Sequence, residues 1–324
     1  MGDGSQPPAE WVTLMGRVQT AARLAPLTGP SDRSLPGRAW SRVRSTAALL
    51  LTARQKRFNI EAADALAGVC RQLESLAAEN AALRAELADL RADLEPPHLR
   101  PGTLDAAIWT DVNRQNEYAL PDRFEPGDLV VDIGGHIGSF SFACLRRGAG
   151  AVVCFEPNPA NAALAELNLK RFGPRAEVRR AAVWRSDRPA GTLTLAGSAD
   201  ATNTGGGGIG SGDVTAPAVP FDEVLNELMA VRGGSRVRLL KLDCEGSEYP
   251  ILFTSRSLDR IDAICGEYHE TEGPFPDQFR VAGHDRYDRH ELARFLTERG
   301  FRVDHRQHTS NPLIGLFFAT RQTV

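Results

Sequence analysis

The sequence predicts an α/β protein with a mainly parallel sheet that ends in an antiparallel pair, preceded by a long coiled-coil helix. Two observations predict the sheet: short apolar runs alternate with helical patterns beyond residue 98, and a glycine turn follows the first run. A third predicts the coiled coil, because apolar positions from 66 to 94 recur in strict steps of three and four.

Composition sets outer limits. With 324 residues, 42% hydrophobic and 24% charged, the chain can bury a large core in one or two domains, which excludes a disulfide miniature and a disordered chain. A net charge of −3 excludes a dedicated nucleic-acid binder. Only Lys56, Lys170 and Lys241 of the 38 basic residues are lysines, and the arginines are scattered rather than clustered as an anion site. Cys70, Cys144, Cys154, Cys244 and Cys265 never form a C-x-x-C pair and suit thiols of a reducing compartment. No signal-peptide pattern and no run of roughly 20 apolar residues is visible, so a soluble cytoplasmic protein is expected.

Residues 1–60 form a basic leader, with Arg17, Arg23, Arg33, Arg38, Arg42, Arg44, Arg54, Lys56 and Arg57 against Asp3, Glu10 and Asp32. Its prolines and glycines predict only partial order. Trp11, Trp40 and the leucines 49–51 also fit contact with an anionic membrane surface, although a partly ordered leader accounts for the same residues. The helix follows over 61–95, with Leu66, Val69, Leu73, Leu76, Asn80, Leu83, Leu87, Leu90 and Leu94 on its a and d positions. Asn80 is the one polar a residue, and a buried asparagine there favours a parallel, in-register homodimer through residues 66–94. Glu79 and Glu86 at g would then meet Arg84 and Arg91 at e of the partner chain. The alternative is a single amphipathic helix packed on its own domain. Pro96 and Pro97 end the helix.

The domain 98–324 takes the rest. Strands are predicted at 129–132, 151–155, 177–183, 237–243 and 263–267, with helices at 158–172 and 221–231 between them. A helix over 289–299 and the runs 301–305 and 315–319 complete the chain as the terminal antiparallel pair.

The first strand turns into a helix through Val130-Val131-Asp132-Ile133-Gly134-Gly135-His136-Ile137-Gly138-Ser139-Phe140. Glycines let a ligand approach the backbone, and a helix N-terminus offers free N–H groups. A dinucleotide fingerprint would need glycine at His136 and Ser139, which weakens a nicotinamide oxidoreductase reading. An acid at the strand end, Asp132, suits instead a cationic cofactor, and S-adenosylmethionine carries an ammonium and a sulfonium centre. The next strand ends in Glu156, placed to accept both ribose hydroxyls.

These stretches resemble the FkbM-type S-adenosylmethionine-dependent methyltransferases. The resemblance spans residues 105–320 and runs through Asn116-Glu117-Tyr118, the loop 131–140, Phe155-Glu156-Pro157-Asn158, Ala182-Val183, Asn203-Thr204-Gly205-Gly206, Phe221-Asp222-Glu223-Val224, Leu240-Lys241-Leu242-Asp243-Cys244-Glu245-Gly246-Ser247-Glu248 and Glu267-Tyr268-His269. It implies a class I methyltransferase (Rossmann-like) seven-stranded sheet, S-adenosylmethionine as cofactor, and hydroxyl groups of sugars or natural products as acceptors. The cofactor-binding set it implies is Asp132, Gly134, Gly135, His136, Gly138, Glu156, Ala182 and Asp243. Gly135-His136 stands where relatives commonly have Ala-Asn, and Arg180-Ala181-Ala182 lacks an acidic partner for the adenine.

Ligands of open α/β sheets sit beyond the carboxyl ends of the strands, so Asp243, Glu267 and His269 are the catalytic candidates. An acceptor hydroxyl needs a general base; His269 is the first choice and Asp243 the second, with cofactor orientation as its alternative role. The same three residues can hold a divalent cation, a reading that three candidates on two strands leave open but do not favour. Lys241 suits an ion pair, and Glu245 and Glu248 a helix start. His284, His290, His305 and His308 lack ligand spacing and are expected at the surface, and the glycines 205–208 form a lid or a plain loop. The competing function is a non-catalytic coiled-coil scaffold that binds the cofactor or has lost it.

Overall fold

The structure, a computed structural model, describes residues 35–94, 96–198, 200–212, 214–231, 236–309 and 311–322, so the reading of the first 34 residues lies outside the described ones. Helix α1 (Leu35–Leu94) starts far earlier than the expected 61–95 segment and takes in residues 35–60 of the basic leader. The reason is local: after Pro36 and Gly37 no helix breaker intervenes until Gly68, and proline is tolerated in a first turn. Leu66, Val69, Leu73, Leu76 and Leu83 are 52–60% exposed along one stripe. Asn80 on the same stripe donates its Nδ2 to the Leu76 carbonyl at 2.9 Å. Side chains 85–94, including Glu86, Leu87, Leu90, Arg91 and Leu94, lie outside the described ones. Among the described residues no helix is long and apolar enough to cross a membrane.

The second unit carries α2 (Asp105–Asn113), β1 (Leu129–Ile133), α3 (Ser139–Arg146), β2 (Ala151–Phe155), α4 (Pro159–Leu169), β3 (Ala176–Arg179), β4 (Ala182–Trp184), β5 (Gly191–Leu195), β6 (Val214–Pro220), α5 (Phe221–Val231), β7 (Val237–Leu242), α6 (Glu248–Thr254), β8 (Ala263–His269), the short β9 (Thr271–Glu272) and β10 (Arg286–Tyr287), α7 (Arg289–Thr297), β11 (Phe301–Gln307) and β12 (Ile314–Arg321). The main sheet has seven strands in the order β11-β12-β8-β7-β1-β2-β3. Its pairings are parallel except those of β12, which runs antiparallel to both β8 and β11. The expected seven-stranded sheet with a C-terminal antiparallel strand is therefore present.

Alternate residues of the central strands feed two cores. Val131, Ile133, Val153, Phe155 and Leu240 pack with Phe221, Tyr249 and Phe295 on one face. Val130, Val152 and Cys154 pack with Phe140, Phe142 and Leu169 on the other. Full burial of each large apolar side chain contributes about 1.5–3 kcal/mol, which fixes the register of β1 between β2 and β7.

One expected strand is corrected. The run 177–183 breaks after Arg179, because Ala181 N–H turns back to the Arg179 carbonyl (2.9 Å) and Arg180 reaches outward to Glu166 (2.7 Å). β4 then joins a separate sheet in the order β4-β6-β5. Its partner strands were not legible because β6 carries its inward alternation on Ala216 and Ala218, with Pro217 between them.

Candidate active site

The carboxyl ends of β1, β2, β7 and β8 converge on one cleft of about 300 Å³. Gly134 has φ +79°, and a Cβ there would sit 1.8 Å from the Asp243 carbonyl oxygen. Only glycine lets the tips of β1 and β7 meet so closely. Gly134, Gly135, His136, Glu156, Ala182, Asp243 and Glu267 all line the cleft.

Gly138 and Asp132 are not among the lining residues. Gly138 (φ +83°) caps α3, where a Cβ would press on Leu169 and Ala165 at 3.2–3.3 Å; its glycine serves the packing of α3 on α4. Asp132 is fully buried. It accepts the Ser141 hydroxyl at 2.7 Å and pairs with Lys241 Nζ at 3.3 Å, so its charge is neutralised inside the sheet rather than offered to a ligand. Lys241 also donates to the Gly134 carbonyl (2.5 Å) and lies 3.5 Å from Asp243. Burial opposes its charge, but the two aspartates hold the ammonium protonated well above its ordinary range.

Glu156 accepts backbone N–H groups from His136 (2.7 Å) and Asn158 (2.8 Å). Asn158 caps α4 through bonds to the N–H groups of Ala160 and Asn161, which fixes the chain at the β2 tip. Burial pushes the Glu156 carboxyl up to about 7 against these donors.

Above the loop sits a clamp that sequence reading missed. Arg100 donates to Asp105 (Nε, 2.8 Å), to Asn161 (2.8 Å) and to Thr204 (2.8 Å), and its Nη2 lies 3.0 Å from His136 Nε2. Thr204 donates to Asp105 at 2.7 Å, and Asn161 donates to the Thr204 carbonyl at 3.0 Å. The glycine loop over the cleft is thus tied at Thr204 to the cofactor-type turn. Burial would raise Asp105, but bonds from Arg100 and Thr204 outweigh it and hold the carboxyl at about 2. Burial lowers His136 to about 4, so its ring is neutral. No spacing in the sequence links positions 100, 105, 136 and 204.

The far end of the cleft is acidic. Asp243 accepts the Tyr118 hydroxyl at 3.0 Å; burial would raise it, but Lys241 and His269 hold it below the usual range. Burial raises Glu117 and Glu245 to about 7 each, and also raises Glu267. His269 stands behind them, with Nε2 3.3 Å from Glu267 and 3.4 Å from Glu245, and Nδ1 3.4 Å from Glu248. Burial opposes protonation, but those carboxylates prevail and push the imidazole up to about 12. His269, the first candidate for the base, thus holds its proton near neutral pH and stands behind the carboxylates that line the cleft. His308, with a side chain 38% exposed, also lines the cleft, with Nε2 3.0 Å from Glu267.

The Methyltransferase FkbM domain matches residues 132–303, more than half of the 324. The chain belongs to the FkbM methyltransferase family. The 31-O-demethyl-FK506 methyltransferase FkbM of Streptomyces tacrolimicus is 30% identical over 179 residues, which cover 46% of this chain and 68% of that relative. Solved structures similar to it include a precorrin-6y C5,15-methyltransferase from Geobacter metallireducens (12% identity, 71% of this chain and 96% of that one, TM-score 0.37). Another is an O-methyltransferase family protein from Burkholderia thailandensis (11% identity, 68% and 57%, TM-score 0.35).

Membership in the FkbM family implies S-adenosylmethionine as methyl donor, and the residues present fit it. Glu156 can accept ribose hydroxyls. The Ser139 hydroxyl, buried at the cleft and at the first turn of α3, has no hydrogen-bond partner among the described residues. The acid-rich far wall matches a cationic ligand.

Proposed function

We propose that this FkbM methyltransferase transfers a methyl group from S-adenosylmethionine to a hydroxyl of a sugar, glycan or natural-product acceptor in the cytoplasm. The observation that supports it is the polarity of one cleft: Glu156 stands at the end suited to a ribose, and Asp243, Glu267 and Glu117 stand at the other. The name of the relative at 30% identity, which specifies an O-demethyl acceptor, agrees with transfer to oxygen.

Bound S-adenosylmethionine supplies an electrophilic methyl group. Glu156 would hold the ribose, and Asp243, oriented by Tyr118 and Lys241, would face the ammonium group. Glu117 takes the acceptor proton, since it lines the cleft and titrates at about 7. Steric positioning of the acceptor then provides much of the rate. Mass spectrometry of a panel of hydroxylated acceptors tests this. Glu117→Gln should lower kcat about 100-fold or more with unchanged cofactor binding. Methylation of amine acceptors alone would overturn transfer to oxygen, and a normal kcat in the variant would remove Glu117 as the base.

A second copy of the chain is proposed to cover the exposed stripe of α1, parallel and in register. Asn80 lies in the seam, and Glu79 and Arg84 offer complementary charge between copies. Sedimentation of the full chain should give a dimer.

A further inference from the structure

We propose that Asp243, Glu267 and His269 form a binding site for a divalent cation of the Mn²⁺ type. One ligand atom from each lies within 4.8 Å of the other two. With metal–ligand bonds near 2.1 Å, adjacent ligand atoms lie about 3 Å apart and opposed ones about 4.2 Å, so closure needs side-chain rotations that draw the three atoms together. One imidazole nitrogen with two carboxylates suits a first-row divalent cation such as Mn²⁺ better than Ca²⁺, which prefers oxygen ligands alone.

What lifts this above a cluster of acids is the ring of groups around it. A metal-bound histidine characteristically donates its other ring N–H to a carboxylate. His269 offers Nε2 to the side of Glu267 and Glu245, while Nδ1 faces Glu248 Oε1 at 3.4 Å. Glu248 is fully buried; Oε1 accepts the Cys244 N–H at 2.7 Å, and Oε2 has no hydrogen-bond partner among the described residues. A cation at Nε2 would displace the proton that the carboxylates otherwise hold there, while Nδ1–H keeps its place against Glu248 Oε1 and fixes the ring. The carboxylate ligands are held in the same way. Tyr118 donates to Asp243 Oδ2 at 3.0 Å, and His308 lies 3.0 Å from Glu267 Oε1, leaving Oε2 toward His269. Lys241, the cation beside Asp243, is shared with Asp132 and does not neutralise the group.

Asp243 and Glu267 open on the acceptor end of the cleft, so a cation there has room for a further oxygen ligand. Such a cation would bind the acceptor hydroxyl and lower its pKa, with the released proton passing to Glu117. This role rests on the proposed methyl transfer; the binding site does not.

The test is titration of Mn²⁺ into the chelator-stripped full chain, with free Mn²⁺ followed by electron paramagnetic resonance and stability by thermal shift. One Mn²⁺ per chain is expected, with a raised Tm. His269→Ala and Glu267→Gln should each weaken binding by tenfold or more, and Glu248→Gln, a positioning change, by about tenfold. His284→Ala, whose ring pairs with Glu291 away from the cleft, should bind as the wild type does. If His269→Ala fails to fold, Glu267→Gln decides. No Mn²⁺ bound at millimolar concentration, or binding unchanged in the folded variants, would overturn the site. Methyl transfer at full rate in excess chelator would remove the cation's catalytic role while sparing the proposed function; Mn²⁺ binding without any methyl transfer would keep the site and overturn that function.

Discussion

Replacing Lys241 with methionine tests whether Asp132 is an internal charge or a ligand group. The two residues are 3% and 0% exposed, and Nζ lies 3.3 Å from Oδ1. At an effective dielectric constant of about 20 that separation corresponds to roughly 5 kcal/mol of attraction. Removing one partner of a buried pair strands the other, with measured costs of about 3–5 kcal/mol. In a domain of about 225 residues each kcal/mol shifts Tm by about 2–4 °C, so Lys241→Met should lower it by about 6–20 °C. Adding Asp132→Asn should restore about 2 kcal/mol or more, because the stranded charge is gone and Ser141 still has an oxygen to bond. Urea denaturation of the wild type, both single variants and the double variant closes the cycle. A double variant as unstable as the sum of the singles would refute the pairing. So would an Asp132→Asn single variant that keeps its stability and loses cofactor affinity.

Three further outcomes are expected. Glu156 must be ionised to accept two ribose hydroxyls and titrates at about 7 in the free protein, so affinity for S-adenosylmethionine should be flat above pH 8 and fall by up to about tenfold per pH unit below 7; calorimetry across pH 5.5–8.5 reads this, and a flat profile would count against Glu156. Because Asp105 is held at about 2, its stabilising contribution is complete above the unfolded carboxylate range near 4 and disappears as pH falls toward 2. Arg100→Ala should therefore cost about 2 kcal/mol at pH 7, less at pH 3, and raise KM for the cofactor by loosening the loop at Thr204, as denaturation and steady-state rates would show. Leu73→Asp with Leu76→Asp should convert the dimer to monomer in sedimentation, and an unchanged dimer would move the interface elsewhere.

The sheet was legible because β1, β2, β7 and β8 are buried runs with a period that burial on both faces dictates. Glu156, Asp243 and the Gly134 turn were legible for a related reason, since strand-end residues of an open sheet face a common crevice. The fate of Asp132 was not, because one step along β1 decides between the crevice and the interior, and the deciding partner, Lys241, lies 109 positions away. The protonation of His269 depends on three carboxylates from the β7–α6 turn, the first turn of α6 and β8 itself, an electrostatic sum that no spacing reveals. The clamp of Arg100, Asp105, His136 and Thr204 and the β4-β6-β5 sheet are likewise products of tertiary contact.

The most direct test is the crystal structure of the full chain with S-adenosylhomocysteine. Both ribose hydroxyls should lie within about 3 Å of the Glu156 carboxylate, with the amino-acid end toward Asp243 and Ser139. A nucleoside bound outside this cleft, or a Glu156 still bonded only to the His136 and Asn158 N–H groups, would contradict the assignment.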